Sequence, residues 1–177
     1  NEEQALTLAF IVSGSLIALD LIRLFIPSLN KKLIIVFGPF LRAHETHHLT
    51  AATYMLIGVT ISIALFPKAV VLLCLLMLSF ADPLAAVVGI RYGRDRIIGK
   101  KTLQGSFAAL FICCLISLSY FSYFQLFSDR LLLATLLAGL SGALSELLPI
   151  FKLDDNLTFP ILSSILLYGL FYIFGAL

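Results

Sequence analysis

The sequence predicts an all-α integral membrane protein, a single polytopic domain over residues 1–177 in which about six transmembrane helices form one compact bundle. Two observations predict it. Of 177 residues, 60% are hydrophobic and only 12% are charged, about half the charged share of a soluble domain. The apolar residues also fall in runs long enough to cross roughly 30 Å of hydrocarbon. Six spans of about 20 residues leave only short connections, so any active site must be built by the bundle itself.

The runs cover about 5–26, 50–66, 69–90, 105–127, 131–150 and 157–177, the second being the shortest. Pro27, Ser28 and Asn30 end the first, Pro67-Lys68 turns the chain after the second, and Ser128-Asp129-Arg130 turns it again. Asp154, Asp155 and Asn156 offer caps to the last. Between the first two runs, 33–41 is apolar but too short to span and is broken by Gly38-Pro39, so it reads as re-entrant or interfacial. The chain opens on Asn-Glu-Glu without a signal peptide's basic start, so the first run is expected to be a retained helix, and the absent initiator Met suggests a trimmed or truncated start.

Charge supplies the orientation. Of the 12 Lys and Arg residues, Arg23, Lys31, Lys32, Arg42, Arg91, Arg94, Arg96, Lys100, Lys101 and Lys152 fall on one side, and only Lys68 and Arg130 on the other. By the positive-inside rule the richer side is cytoplasmic and both termini are on the far side. The net charge of +2 gives no support to nucleic-acid binding. Cys74, Cys113 and Cys114 lie inside apolar runs without metal-binding spacing and read as small packing residues.

Ionisable groups in hydrocarbon are costly, roughly 3 kcal/mol each at mid-membrane, and usually mark function. Asp20, Arg23, Asp82 and Glu146 all fall in the predicted cytoplasmic half, with Asp82 deepest, about 12 Å inside its helix end. Arg42, Glu45, Asp154 and Asp155 border the same half, so several helices can contribute to one polar cavity. From Asp82, residues Ala85, Gly89 and Gly93 follow at helical spacing, a stripe of a carboxylate and small side chains. Close helix packing explains the glycines equally well, but not Asp82. The next loop gathers cations with Gly99, Thr102, Gly105 and Ser106, then opens a helix at about Gly105 whose positive end suits phosphate oxygens. The alternative is an ordinary positive-inside loop.

These residues carry a resemblance. Asp82-xx-Ala85-xxx-Gly89-xxx-Gly93 followed by Lys100-Lys101-Thr102-x-Gln104-Gly105-Ser106 resembles the CTP-binding signature of the polyprenol and lipid kinase family. That family comprises dolichol kinase, phytol kinase and CTP-dependent diacylglycerol kinase, and is related to phosphatidate cytidylyltransferase. Asp154-Asp155-Asn156-Leu157-Thr158-x-Pro160 and Arg42-xx-Glu45 with Leu49-Thr50-Ala51-Ala52-Thr53-Tyr54 resemble two further family segments, so three ordered blocks match. Gln104 stands where the family usually has Glu, and Ala51 where it has Gly. The long basic segment of the cytidylyltransferase is missing, which favours the kinase branch.

The resemblance implies CTP as co-substrate, Mg²⁺ as cofactor, and phosphorylation of a membrane lipid alcohol (polyprenol, phytol or diacylglycerol) at the cytoplasmic face. Such transfer needs carboxylates for Mg²⁺ and cations for the moving phosphate. Asp82 and Asp154 or Asp155 are the expected metal ligands. Lys100, Lys101 and Arg96 are the expected phosphate clamps, with Gly89, Gly93, Thr102, Gln104, Gly105 and Ser106 lining the nucleotide. Glu45 or Glu146 is the expected base, unless either pairs with Arg42 or Arg23. Arg42 and Asn156 complete the candidate set. Asp154-Asp155-Asn156 also reads as helix capping, and Asp20 with Arg23 as an interfacial ion pair.

Three other readings exist. Cytidylyl transfer to phosphatidate uses the same superfamily features. His44-Glu45-x-x-His48 fits the pattern of an intramembrane zinc metalloprotease, although that chemistry has no use for the Lys100-Lys101-Thr102 loop. A small transporter or assembly subunit would explain the buried charges without catalysis.

Overall fold

The structure is a computed structural model that describes residues 2–37, 43–99, 101–148 and 153–177. The described residues form seven α-helices: α1 (Glu2–Phe25), α2 (Pro27–Phe37), α3 (Ala51–Leu65), α4 (Lys68–Tyr92), α5 (Leu103–Tyr123), α6 (Leu131–Leu147) and α7 (Asp155–Ile173). Five of these, α1 and α4 to α7, are long and apolar enough to cross a membrane. The other apolar helix, α3, has 15 residues and is about 22 Å long. It starts late because the Thr50 side chain caps it by accepting from Thr53 N, and it stops early because Phe66-Pro67 is extended.

Pro27 starts a new helix rather than only ending the first. The chain breaks at Ile26, and proline suits the first turn of α2, where no amide partner is required. No residue of α2 is buried in the bundle, while Ile35, Val36 and Phe37 are exposed. Residues 38–42, the rest of the expected re-entrant piece, lie outside the described residues, as do Lys100 and Lys152.

Among the described residues, the fold departs from purely helical in one place. Between α4 and α5, β1 (Arg96–Ile98) and β2 (Lys101–Thr102) form a two-stranded antiparallel ribbon with Arg96 opposite Thr102 and an irregular register at Ile98. Gly99 turns the ribbon at φ +57°, a conformation that favours glycine.

Interior and exterior follow the rules of lipid rather than water. Large apolar side chains such as Phe107, Phe111, Leu132 and Ile173 are exposed, whereas Thr53, Ser62, Ser117, Ser163 and Ser164 are buried between helices. Ser62 Oγ donates to Pro160 O at 3.0 Å and joins α3 to α7. Cys74 Sγ lies 2.9 Å from Ser163 Oγ and joins α4 to α7. Gly139 and Gly142 bring α6 so close to α5 that a Cβ on either would strike Cys114 or Cys113. All three cysteines are free.

These contacts fix which ends share a side. The end of α1 meets the start of α3 through Asp20 and Thr50, and the start of α5 meets the end of α6 and start of α7 through Lys101. Gly58 of α3 lies against Leu157 and Pro160 near the start of α7, so both contacts lie towards the same end of the bundle.

Candidate active site

Lys101 is the centre of the charged end. Its Nζ donates to Glu146 Oε1 at 2.7 Å and lies 3.2 Å from Asp155 Oδ2. The ribbon supplies the lysine, the last turn of α6 the glutamate, and the first turn of α7 the aspartate. Burial alone would disfavour the ammonium, but the hydrogen bond and field of Glu146, with those of Asp155, outweigh it and raise the Lys101 pKa. Glu146 Oε2 is buried without a hydrogen-bond partner. Ser106 Oγ, at the start of α5, is buried and unpartnered in the same way. A buried carboxylate oxygen left unpartnered beside a lysine is unusual in a protein interior and makes Glu146 the polar group to explain.

The ribbon is held by its own polar groups. Thr102 caps α5, its Oγ1 accepting from Gly105 N at 3.2 Å. Gln104 Oε1 accepts from Arg94 N at 3.0 Å, and its Nε2 donates to Asp95 Oδ2 at 2.9 Å. Gln104 thus staples the loop back onto the end of α4. Arg96 is exposed on β1.

Below the ribbon, the small-residue stripe brings two helices into backbone contact. A Cβ on Gly105 would lie 2.9 Å from Ala85 O, and one on Gly89 would lie 3.0 Å from Thr102 Oγ1. Gly93 is closed off by Thr102 as well. The stripe therefore seats the cationic ribbon on α4. Asp82 lies deeper on the same helix. Met77 meets the Gly142 position on α6, which runs parallel to α4. Asp82 stands five residues beyond Met77, about 7.5 Å, and Glu146 four residues beyond Gly142, about 6 Å, so the two carboxylates lie at similar depths.

At the start of α7, Asp154 Oδ1 accepts from Asn156 N at 2.9 Å and from Asn156 Nδ2 at 2.6 Å. Asp154 is thus engaged in capping, whereas Asp155 is exposed and faces Lys101. Among the described residues no three His, Cys, Asp or Glu side chains gather around one metal-sized point.

A second polar cluster stands on α1 and α3. Asp20 and Arg23 are buried and paired at 2.7 Å. Glu45 is buried, and its Oε1 accepts from Ala51 N at 3.1 Å.

The sequence-derived candidates therefore separate into groups. Lys101, Glu146 and Asp155 converge; Gly89, Gly93, Thr102 and Gly105 form the helix contact; Gln104 turns to Asp95; Glu45 joins the α1 cluster. Glu146 pairs with Lys101 and not with Arg23, because the ribbon folds over the end of α6. Arg42 and Lys100 lie outside the described residues. Sequence reasoning missed Asp95, whose partner is reached only through the ribbon. It also gave no role to Thr50, although a threonine ahead of an apolar run is a usual N-cap signal.

The zinc pattern does not take the form its chemistry requires. Ala43–Thr46 is a 3₁₀ turn followed by a bend at His47-His48, so His44 and His48 are not one α-helical turn apart.

By fold and site, this is a multi-pass helical membrane protein with a lysine and two carboxylates joined at one end of its bundle. The chain is 31% identical over 162 residues to the fission yeast (Schizosaccharomyces pombe) CTP-dependent diacylglycerol kinase 1, covering 84% of this chain and 73% of the relative. It is 33% identical over 176 residues to the Saccharomyces cerevisiae enzyme of that name, covering 89% of this chain and 60% of the relative. The Eremothecium gossypii enzyme of that name is 32% identical over 169 residues, with 85% and 53% covered. The chain thus spans between about half and three quarters of these relatives. No protein-family model matches the chain, and no solved structure matches it significantly. The chain belongs to the CTP-dependent lipid kinase family.

Proposed function

We propose that this chain transfers the γ-phosphoryl group of CTP to the hydroxyl of diacylglycerol, at the cytoplasmic face of its membrane. The observation that carries this reading is the similarity to three CTP-dependent diacylglycerol kinases across most of the chain. The joint between Lys101, Glu146 and Asp155 supplies the chemistry. The cytoplasmic assignment rests on the excess of Lys and Arg at that end.

In this reading the acceptor oxygen attacks the γ-phosphorus, the bond from that phosphorus to the bridging oxygen breaks, and CDP leaves. Lys101 and Lys100, with Arg96, neutralise the phosphate oxygens as charge shifts. The proton of the acceptor hydroxyl passes to a carboxylate. Glu146 suits that task better than Glu45, because Glu146 Oε2 is buried and unpartnered while Glu45 is engaged with the backbone of α3. Asp82 and Asp155 are the residues that would hold Mg²⁺, which would supply positive charge to offset that of the nucleotide phosphates. Asn156 keeps Asp154 in its cap and so fixes the start of α7. The acceptor's apolar body stays in the bilayer, and only its hydroxyl must reach Lys101. Polyprenol and phytol offer the same hydroxyl on an apolar body and are the competing acceptors.

The test is purified protein in detergent with Mg²⁺ and CTP labelled on the γ-phosphate, offered diacylglycerol, polyprenol, phytol and phosphatidate separately. Label in diacylglycerol is the expected result. Label in another alcohol changes the acceptor, label in pyrophosphate with phosphatidate alone replaces the kinase with a cytidylyltransferase, and no label sinks the reading.

A further inference from the structure

A hollow of about 740 Å³ opens where α3 stops short. That helix ends at Leu65 and the chain crosses to α4 extended at Phe66-Pro67, so the space between α1, α4 and α7 at this end stays open. Ile63 and Ala64 of α3, Val71 and Leu75 of α4 and Tyr168 of α7 line it, and the Tyr168 ring meets Phe66 edge-on at 5.8 Å. Leu65 and Leu72 are exposed at its rim, so it opens sideways towards lipid. Glu3 and Lys68 stand at its far mouth.

The α4 wall of this hollow leads to the site. From Val71, residues Leu75, Leu78 and Asp82 follow at four, seven and eleven positions, the spacing that keeps side chains on one helix face. Ala85 and Gly89 continue that face to the contact with Gly105. Asp82 is therefore two turns beyond Leu75, about 10.5 Å towards the ribbon. The α7 wall leads the same way, since Asp155, at the Lys101 joint, lies about 20 Å along the helix from Tyr168.

Length and chemistry then select the occupant. An apolar hollow facing lipid forfeits dispersion contacts along its lining unless hydrocarbon fills it. One leaflet accommodates its chains in about 15 Å, half of roughly 30 Å of hydrocarbon. A chain that starts beside Asp82 and follows α4 for about 15 Å ends level with Leu72, inside the hollow. Lys68 lies about 21 Å from Asp82 along the same helix. It limits a longer chain, because covering a charge with hydrocarbon is costly.

We propose, resting on the kinase reading, that this hollow holds one acyl chain of the acceptor diacylglycerol and so sets which chain lengths are phosphorylated. The full chain in detergent, with CTP and Mg²⁺, is offered dioctanoyl and dioleoyl diacylglycerol. Ala64 is exposed at the rim, so Ala64→Trp adds its bulk to the hollow and not to the helix core. It is expected to lower kcat/KM for the dioleoyl acceptor, relative to the dioctanoyl one, at least about fivefold. Leu72→Ala widens the hollow, is expected to move that ratio at least about twofold towards the longer chain, and carries the comparison should Ala64→Trp fail to fold. A ratio that neither variant moves overturns the assignment.

A diacylglycerol carrying a diazirine at the end of one octadecanoyl chain reads the position without turnover. Crosslinks are expected in 63–75 and at Tyr168, displaced by unlabelled dioleoyl diacylglycerol. Crosslinks confined to other lipid-facing residues, such as Phe107 and Phe111, overturn the assignment and leave the kinase standing. Crosslinks in 63–75 that phosphatidylcholine displaces as readily as diacylglycerol make the hollow a seat for bulk lipid and overturn it as well. If the wild-type chain phosphorylates no lipid, the kinase reading fails and the chain-length role falls with it, while the crosslinks still decide whether an acyl chain occupies the hollow.

Discussion

Lys101 and Glu146, 45 residues apart, meet at 2.7 Å where the α4–α5 ribbon folds over the end of α6. The contact is lopsided: the Glu146 side chain is 5% exposed and the Lys101 side chain 26%, while Asp155, the second partner, is 55% exposed. The exposed Asp155 contact is worth about 0–1 kcal/mol. Glu146 dominates, because removing its lysine leaves a carboxylate uncompensated in a buried place.

Lys101→Met is therefore expected to destabilise the protein, by about 3 kcal/mol, the low end for breaking a buried pair, and to abolish CTP-dependent lipid phosphorylation. Adding Glu146→Gln should restore most of the stability without restoring activity. Thermal unfolding in detergent and γ-label transfer measure the two effects separately. Equal stability of wild type and Lys101→Met would mean that the pair is not formed.

The same pair sets an expected pH dependence. The Lys101 pKa is raised in the folded protein, with burial outweighed by Glu146 and Asp155. A group raised on folding contributes fully below its unfolded value, about 10.4 for lysine, and loses that contribution as pH climbs through the folded value. The stability difference between wild type and Lys101→Met should stay flat around neutral pH and shrink only in strong alkali. A difference that collapses near neutrality would contradict the assignment.

Gly105 and Gly169 make a matched test of the helix contact. A Cβ at Gly105 would lie 2.9 Å from Ala85 O and 3.4 Å from Gly89 Cα, both backbone atoms that cannot step aside. At Gly169 nothing lies within 4 Å. Gly105→Ala is expected to cost about 1–3 kcal/mol as overpacking and to lower activity by shifting the ribbon off α4. Gly169→Ala should leave both unchanged. Equal behaviour of the two variants in unfolding and activity assays would remove the close contact from the account.

How much of this was legible in the sequence depends on the range of the interaction. The helices were visible because lipid imposes a local rule, long apolar runs ended by Pro67, Asp129 or Asp154, and the structure keeps the breaks. Pro27 misled by one step, since the same residue that ends α1 opens α2. Gly89 and Gly105 stood out as small residues, but that they meet across Thr102 depends on how two helices cross. The Lys101 to Glu146 pairing was illegible, because nothing in either residue's neighbourhood specifies a partner 45 positions away. Asp20 and Arg23 were readable as a pair at helical spacing, but their grip on residues 45–50 belongs to the tertiary fold.

His48→Ala separates phosphotransfer from zinc hydrolysis. The His48 side chain is exposed, and what the fold uses is its backbone carbonyl, which accepts from Arg23 Nη2 at 2.6 Å and which alanine retains. A zinc hydrolase would lose a ligand and nearly all activity, as ligand loss does where the metal generates the nucleophile. The kinase should keep its CTP-dependent activity within about twofold, a change of roughly 0.4 kcal/mol in barrier. It should also tolerate a zinc-selective chelator that leaves Mg²⁺ in solution. Loss of activity under either treatment would reinstate His44-Glu45-x-x-His48 as a metal motif and displace Lys101 from the centre of the chemistry.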